Sequence, residues 1–230
     1  ISFCLHEGEV VAVTGLTGSG KTELGKALFG DQPIDAGSIR FMGRIFIPNP
    51  TKAVEMKFGY LPEDRKKEGL LEEVSVLRNL SLAILPRISN WLGFLDRDKE
   101  TQNAQEQVNG LGIKTPSLKQ IVRNLSGGNQ QKVSLGKWLA TGSRALILME
   151  PTLGIDVAVK FEIYRLIHDL SNQGVAILLI SSEMAEILGL AHRIIVLHNG
   201  RLSATLVGNK TNSEEILKYA FGQKKEKKNG

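Results

Sequence analysis

Residues 15–22 read GLTGSGKT, and almost every residue type in that stretch has a use in holding phosphate. Gly15, Gly18 and Gly20 let the backbone turn tightly and aim successive N–H groups inward. Leu16, Thr17 and Ser19 complete the loop. Lys21 supplies a point charge for the β- and γ-phosphates of a nucleotide, and Thr22 a hydroxyl for Mg2+. An apolar, β-branched strand precedes the loop (Glu9–Thr14), and a helix follows it (Thr22–Phe29, with Leu24 and Leu28 four apart). That is the setting the motif requires, because the positive end of the helix then faces the anion. The pattern indicates nucleotide phosphate without separating a kinase from a GTPase or a transport ATPase.

Two further stretches carry chemistry. Residues 125–132, LSGGNQQK, place Ser126, Gly127 and Gly128 just before a helix, where a hydroxyl and free N–H groups make a second phosphate-binding device. Taken alone, Ser-Gly-Gly is also an ordinary helix start. Residues 145–154, ALILMEPTLG, read as a core strand that ends on Glu150, with Met149 where a second carboxylate would be expected.

These pieces need a scaffold. Short strand-like segments (Ser38–Phe41, Phe58–Leu61) fill the region after the first helix. From 64 to 131 the texture becomes helical, with Val76–Leu85 and Arg97–Leu111 as helices, which predicts an inserted helical subdomain that carries LSGG. Residues 1–63 and 132–221 then form the nucleotide-binding core. It holds a helix over Lys132–Ala140, a strand over Ala145–Met149 and a helix over Val159–Leu170 with one apolar face. Strands follow at Val175–Ile180 and Ile194–His198, the latter ending at an Asn199-Gly200 hairpin turn. Thr211 and Glu214 have capping-box spacing before a last helix, Ser213–Phe221. Strands alternating with helices predict an α/β fold with a mainly parallel sheet.

Composition narrows the classes. The chain has 230 residues, 42% hydrophobic and 23% charged, with a net charge of +5. A single cysteine, Cys4, excludes an internal disulfide. No apolar run approaches the length of a membrane span. The Lys-rich end at 222–230 reads as a basic, flexible tail. Without interleaved aromatic residues it offers no platform for stacking bases, so no nucleic-acid partner is expected.

A phosphate loop, LSGG about a hundred residues later, and an apolar strand ending Glu-Pro-Thr: in this order and over residues 1–221 the chain resembles the ATP-binding cassette, the ATPase of ABC transporters. PEDRKKEGLL (62–71), LSGGNQQKVSLGKWLA (125–140) and EPTLGIDVAVKFEIY (150–164) resemble the simple-sugar importer ATPases of ribose and galactose type. SSEMAEILGLAHRI (181–194) is similar to their second, C-terminal cassette, and the abrupt start at Ile1 fits such a half. Nucleoside importers share PEDR and LSGGNQQK and are the alternative. A non-transport ABC ATPase would carry nucleic-acid-binding insertions, and a small-molecule kinase would not explain LSGG.

The resemblance implies a P-loop NTPase core with an N-terminal antiparallel β piece. It implies ATP and Mg2+ as cofactors and a position at the cytoplasmic face of the membrane. ATP is held by residues 15–22 and Glu23 of one cassette and by Ser126, Gly127, Gly128 and the loop around Asp156 of the cassette facing it. The partners implied are that second cassette, in the N-terminal half of the same polypeptide, integral-membrane permease subunits and, indirectly, an extracytoplasmic sugar-binding protein. Glu150 takes the role of polarising the attacking water, and Thr22 and Glu63 face the metal.

The chain departs from the pattern at several places. Met149 stands where an Asp normally holds Mg2+ through water, and a thioether is a poor ligand for a hard cation. Ser182 stands where a His normally contacts the γ-phosphate. The four histidines, His6, His168, His192 and His198, lie elsewhere and read as structural or surface residues. Glu63 replaces the usual Gln, and Leu153 the usual Arg. The strand with the adenine-stacking aromatic would precede Ile1. Together these predict a cassette that binds ATP with reduced turnover.

Overall fold

The computed structural model describes residues 1–223; the expected basic tail lies outside the described residues from 224 onward. Chain order gives β1 (Val10–Gly15), α1 (Lys21–Phe29), β2 (Ile39–Phe41), β3 (Arg44–Phe46), α2 (Pro50–Glu55), β4 (Phe58–Leu61), α3 (Val76–Ser81), α4 (Leu85–Ile88) and α5 (Arg97–Gly110). There follow α6 (Gly127–Leu139), β5 (Ala145–Met149), α7 (Val157–Asn172), β6 (Ala176–Ile180), α8 (Met184–Leu190), β7 (Arg193–His198), β8 (Arg201–Val207) and α9 (Ser213–Ala220). Six strands form one sheet in the order β4-β5-β6-β1-β7-β8. All neighbours in it are parallel except the β7–β8 hairpin. Strands β2 and β3 make a separate antiparallel pair. The fold is therefore α/β, as expected.

Burial explains the sequence runs. β1, β5 and β6 are covered on both faces, so Val, Ile and Leu stand at successive positions instead of alternating with polar residues. The main apolar core joins these strands to Phe29, which stacks on Tyr60 and meets Trp138 edge-on. A second apolar cluster, drawn from residues between Leu70 and Val133, lies under α3, α5 and α6. α6 belongs to both: Val133 packs in the second cluster, Leu135 and Trp138 in the first.

Several boundaries differ from the sequence expectation, each for a physical reason. The helix expected over Val76–Leu85 breaks after Ser81. A 3₁₀ turn follows, and α4 begins with Pro86 in its first turn, where the missing N–H costs nothing. α6 starts at Gly127 and not at Lys132, because the LSGG glycines form its first turn. The last helix is capped by Asn212, whose side chain accepts from the Glu215 N–H at 2.9 Å. Thr211, expected as the cap, instead donates its hydroxyl to the Glu215 carboxylate at 2.6 Å. The Asn199-Gly200 turn forms as expected, with both residues at positive φ.

One buried charge sets a pH dependence. Lys137 is only 9% exposed, lies over the Trp138 ring and donates to the Gly69 carbonyl at 2.6 Å. Burial lowers its pKa from 10.5 to about 8. Above 10.5 the lysine is neutral in both folded and unfolded chains. Between 8 and 10.5 the unfolded chain holds the extra proton, so stability falls as pH drops through that window. The full difference is on the order of 3 kcal/mol. Lys137→Met should flatten the pH dependence of urea midpoints between pH 8 and 10. An unchanged slope would remove Lys137 as its source.

Candidate functional site

Strands β5, β6 and β1 are neighbours, and the loops that leave their C-terminal ends carry Glu150, Ser182 and the phosphate loop. Parallel α/β sheets bind ligands at this edge. Gly18 and Gly20 sit at φ +77° and +91°, a region a side chain would disfavour, and so curl the loop. Among the described residues the N–H groups of Thr17, Gly18 and Gly20 find no acceptor, and the buried Ser19 hydroxyl has no partner. A set of unpaired donors at a helix N-terminus fits a polyphosphate.

Lys21 reaches across the loop. Its ammonium donates to the Gly15 carbonyl at 3.3 Å and to the Ser182 hydroxyl, and lies 3.6 Å from Glu150 Oε1. Ser182 holds both oxygens of Glu150: its hydroxyl donates to Oε1 at 2.7 Å and its N–H to Oε2 at 3.1 Å. Glu150 itself has φ +42°, left-handed for a residue with a Cβ. That conformation is held by its N–H donating to Ile180 at 2.7 Å and its carbonyl accepting from Leu153 at 3.0 Å. The three residues predicted from separate motifs thus meet in one cluster.

Thr22 and Glu63 line a neighbouring cleft of about 390 Å³, together with Lys26, Asp64, Arg65 and Leu153. A hydroxyl and a carboxylate on one wall are suitable donors for Mg2+. Met149 adds none. It is wholly buried, and its sulfur lies 2.3 Å from where a Cβ on Gly25 would be, so the thioether fills the space that this glycine leaves in α1.

Ser126, Gly127 and Gly128 do not line this cleft. They open α6, with the Ser126 hydroxyl accepting from Asn129 at 2.9 Å and not capping the backbone. A Cβ on Gly128 would strike Val159 of α7, so the signature turn sits flush against that helix. Asp156 caps α7, accepting from the Ala158 N–H at 2.9 Å. His192 accepts from the Val10 N–H at 3.0 Å and His198 lies against the Ala220 carbonyl, so neither belongs to the site.

Two residues escaped the sequence reading. Arg65 donates to the Leu153 carbonyl at 3.1 Å and lies against Gly127 and Gln130, linking the PEDR loop to both other motifs. Glu186, 1% exposed, accepts from the hydroxyls of Thr152 and Ser181. Burial pushes its carboxyl above the ordinary range, against the pull of those two hydroxyls. Arg65 stands inside a quoted motif; a Glu in an otherwise apolar helix, MAEILGL, was the signal for Glu186.

Comparison with known proteins bears on the family and the fold. The family model described as ABC transporter matches residues 1–153. A ribose/galactose/methyl galactoside import ATP-binding protein of Agrobacterium fabrum is 49% identical over 96% of this chain and 44% of its own length. The ribose import ATP-binding protein of Clostridium tetani is 43% identical over 96% of this chain and 44% of its own. The chain thus spans less than half the length of these relatives. Among solved structures, a nucleotide-free ATP-binding cassette from an ABC transporter superposes with a TM-score of 0.80 at 20% identity, covering 96% of this chain and 87% of that one. A dimeric cassette in a post-hydrolysis state with ADP and Pi gives 0.78 at 18%, covering 92% and 90%. At that identity the two structures speak for the fold alone. Sequence and fold agree that the chain belongs to the ABC transporter family, as an ATP-binding cassette.

Proposed function

We propose that the chain binds ATP with Mg2+ and hydrolyses it slowly, to energise the import of simple sugars of the ribose and galactose class. The observation that carries the chemistry is the convergence of Lys21, Glu150 and Ser182 beside a loop of unpaired N–H donors. The sugar class rests on the relatives, whose names concern ribose and galactose. Residues 15–22, with Glu23, bind the phosphates. Glu150 orients the water that attacks the γ-phosphate, and Lys21 leaves the carboxylate for the phosphates as ATP enters. Mg2+ would neutralise charge on the β- and γ-phosphates, with Thr22 and Glu63 as the residues to hold it. Ser126–Gly128 close over the nucleotide of a second cassette, at the cytoplasmic face of a membrane permease. That attachment is peripheral in this reading, which fits the absence, among the described residues, of a helix long and apolar enough to cross a membrane.

Turnover is slow for two reasons in this reading. Met149 puts a thioether where a carboxylate would grip the metal's water shell, and Ser182 brings no positive charge to the γ-phosphate. The test is ATP binding and turnover with Mg2+ titrated, for wild type and Met149→Asp, with thermal midpoints to confirm folding. The Asp variant should need less Mg2+ and turn over at least about tenfold faster, the scale of a single charge–metal contact. Equal rates would make Met149 a bystander. Absence of ATP binding in both would end the reading.

A further inference from the structure

We propose that Glu186 is a positioning residue that fixes the Glu150 carboxylate by tying together the two loops on either side of it; the catalytic consequence rests on the ATPase reading above. Glu186 lies in the first turn of α8, away from the phosphate loop and the cleft. One of its oxygens accepts from Thr152, two residues after Glu150. The other accepts from Ser181 at 2.5 Å, one residue before Ser182. Ser181 is also 3.5 Å from Glu150 Oε2 and accepts from the Glu183 N–H at 3.0 Å.

Thr152, Ser181 and Glu186 are all 1% exposed or less. Burying a carboxylate is costly, but here it accepts from two buried hydroxyls that an apolar side chain would leave without this acceptor. A carboxylate provides two acceptor oxygens at a fixed spacing, each facing a hydroxyl on a different loop. That clamp sets the separation of the β5 and β6 loops. The separation in turn decides whether Ser182 reaches both oxygens of Glu150. Glu150's backbone is held at Ile180 and Leu153, but its carboxylate accepts from the β6 loop, from Ser181 and Ser182, and not from its own loop, so its aim follows the spacing of the two loops. The phosphate loop meets Glu150 and Ser182 through the Lys21 side chain alone, while its backbone N–H donors touch neither, so nucleotide affinity depends little on Glu186.

The two ends of the clamp predict a split in the kinetics. In Glu186→Ala, kcat should fall roughly ten- to a hundredfold, the scale of a misplacement near 1 Å, with KM for MgATP within about twofold of wild type. Glu186→Gln keeps one acceptor and offers a donor to the other hydroxyl, and should recover most of the loss. Thr152→Val removes one end of the clamp without changing volume, and should reproduce part of the fall in kcat if the Ala variant does not fold. The carboxyl carbon resonance of Glu150, identified by its loss in Glu150→Gln, should move in Glu186→Ala and Thr152→Val and stay in Glu186→Gln. A wild-type kcat in the Ala variant, a KM that rises as kcat falls, or a Glu150 resonance unmoved by loss of the clamp would each overturn the proposal. Wild type that binds ATP without turnover would sink the hydrolysis reading instead, and the resonance would still decide the role of Glu186.

Discussion

Glu150→Gln should lower ATP turnover by roughly two to three orders of magnitude, the scale of removing a positioned general base, and should leave ATP binding intact. The amide keeps the volume and one acceptor for Ser182 but loses the charge that orients an attacking water. It also releases Lys21, now 3.6 Å from Glu150 Oε1 in a pair with both side chains largely shielded from solvent. Equilibrium affinity for ATP should therefore hold or tighten while single-turnover rates collapse. Binding and chemistry separate cleanly because the N–H donors of the phosphate loop take no part in holding Glu150. A variant that turns over within about threefold of wild type, against the 10²-fold minimum expected of a base, would take Glu150 out of that role.

The largest expected effect on stability comes from a position far from nucleotide. Gly208 follows β8, and its N–H donates to the His192 carbonyl at 2.9 Å. A Cβ there would lie 1.8 Å from the Ala191 carbonyl oxygen. That neighbour is backbone, fixed by its position between α8 and β7, so no side-chain rotation relieves the clash. Gly208→Ala should cost about 3 kcal/mol, at the upper end for overpacking. At 2–4 °C per kcal/mol for a chain of this size, the thermal midpoint should fall by roughly 10 °C. Gly200→Ala is a useful contrast: its Cβ meets nothing, so its cost comes only from the left-handed backbone. Equal losses in the two would show that the close approach at Ala191 is not what matters.

Legibility in the sequence followed how local each signal was. β5 and β4 were bounded to the residue, because apolar runs beside Gly, Pro and charged punctuation leave little choice of strand limits. Glu150 and Lys21 were readable as chemistry from their motifs. That they touch was not, since their contact depends on β5 and β1 standing one strand apart. α8 is hard to read as a helix because seven residues give barely two turns of pattern, although Met184, Ile187 and Leu188 do recur at helical spacing. α6 starts earlier than propensity predicts: two glycines argue against a helix there, and packing against Arg65 and Val159 overrides that weak preference. Arg65 and Glu186 act through partners 88 and 34 residues away in the chain, and no spacing rule reaches that far. Met149 shows the opposite case: its oddity was visible at once, but the glycine that makes room for it in α1 was not.

The place of β1 in the sheet has a consequence for the order of events during synthesis. Val11 pairs with Leu178 on one side and Arg193 on the other. A ribosome adding about 5–20 residues per second needs many seconds to deliver those partners after β1 has emerged. Until then the strand has neither neighbour, and the glycine loop beyond it has no platform. The first motif a reader meets is thus among the last parts of the molecule to take shape. A chain interrupted anywhere between α1 and β6 would carry every letter of GLTGSGKT on a strand without its neighbours.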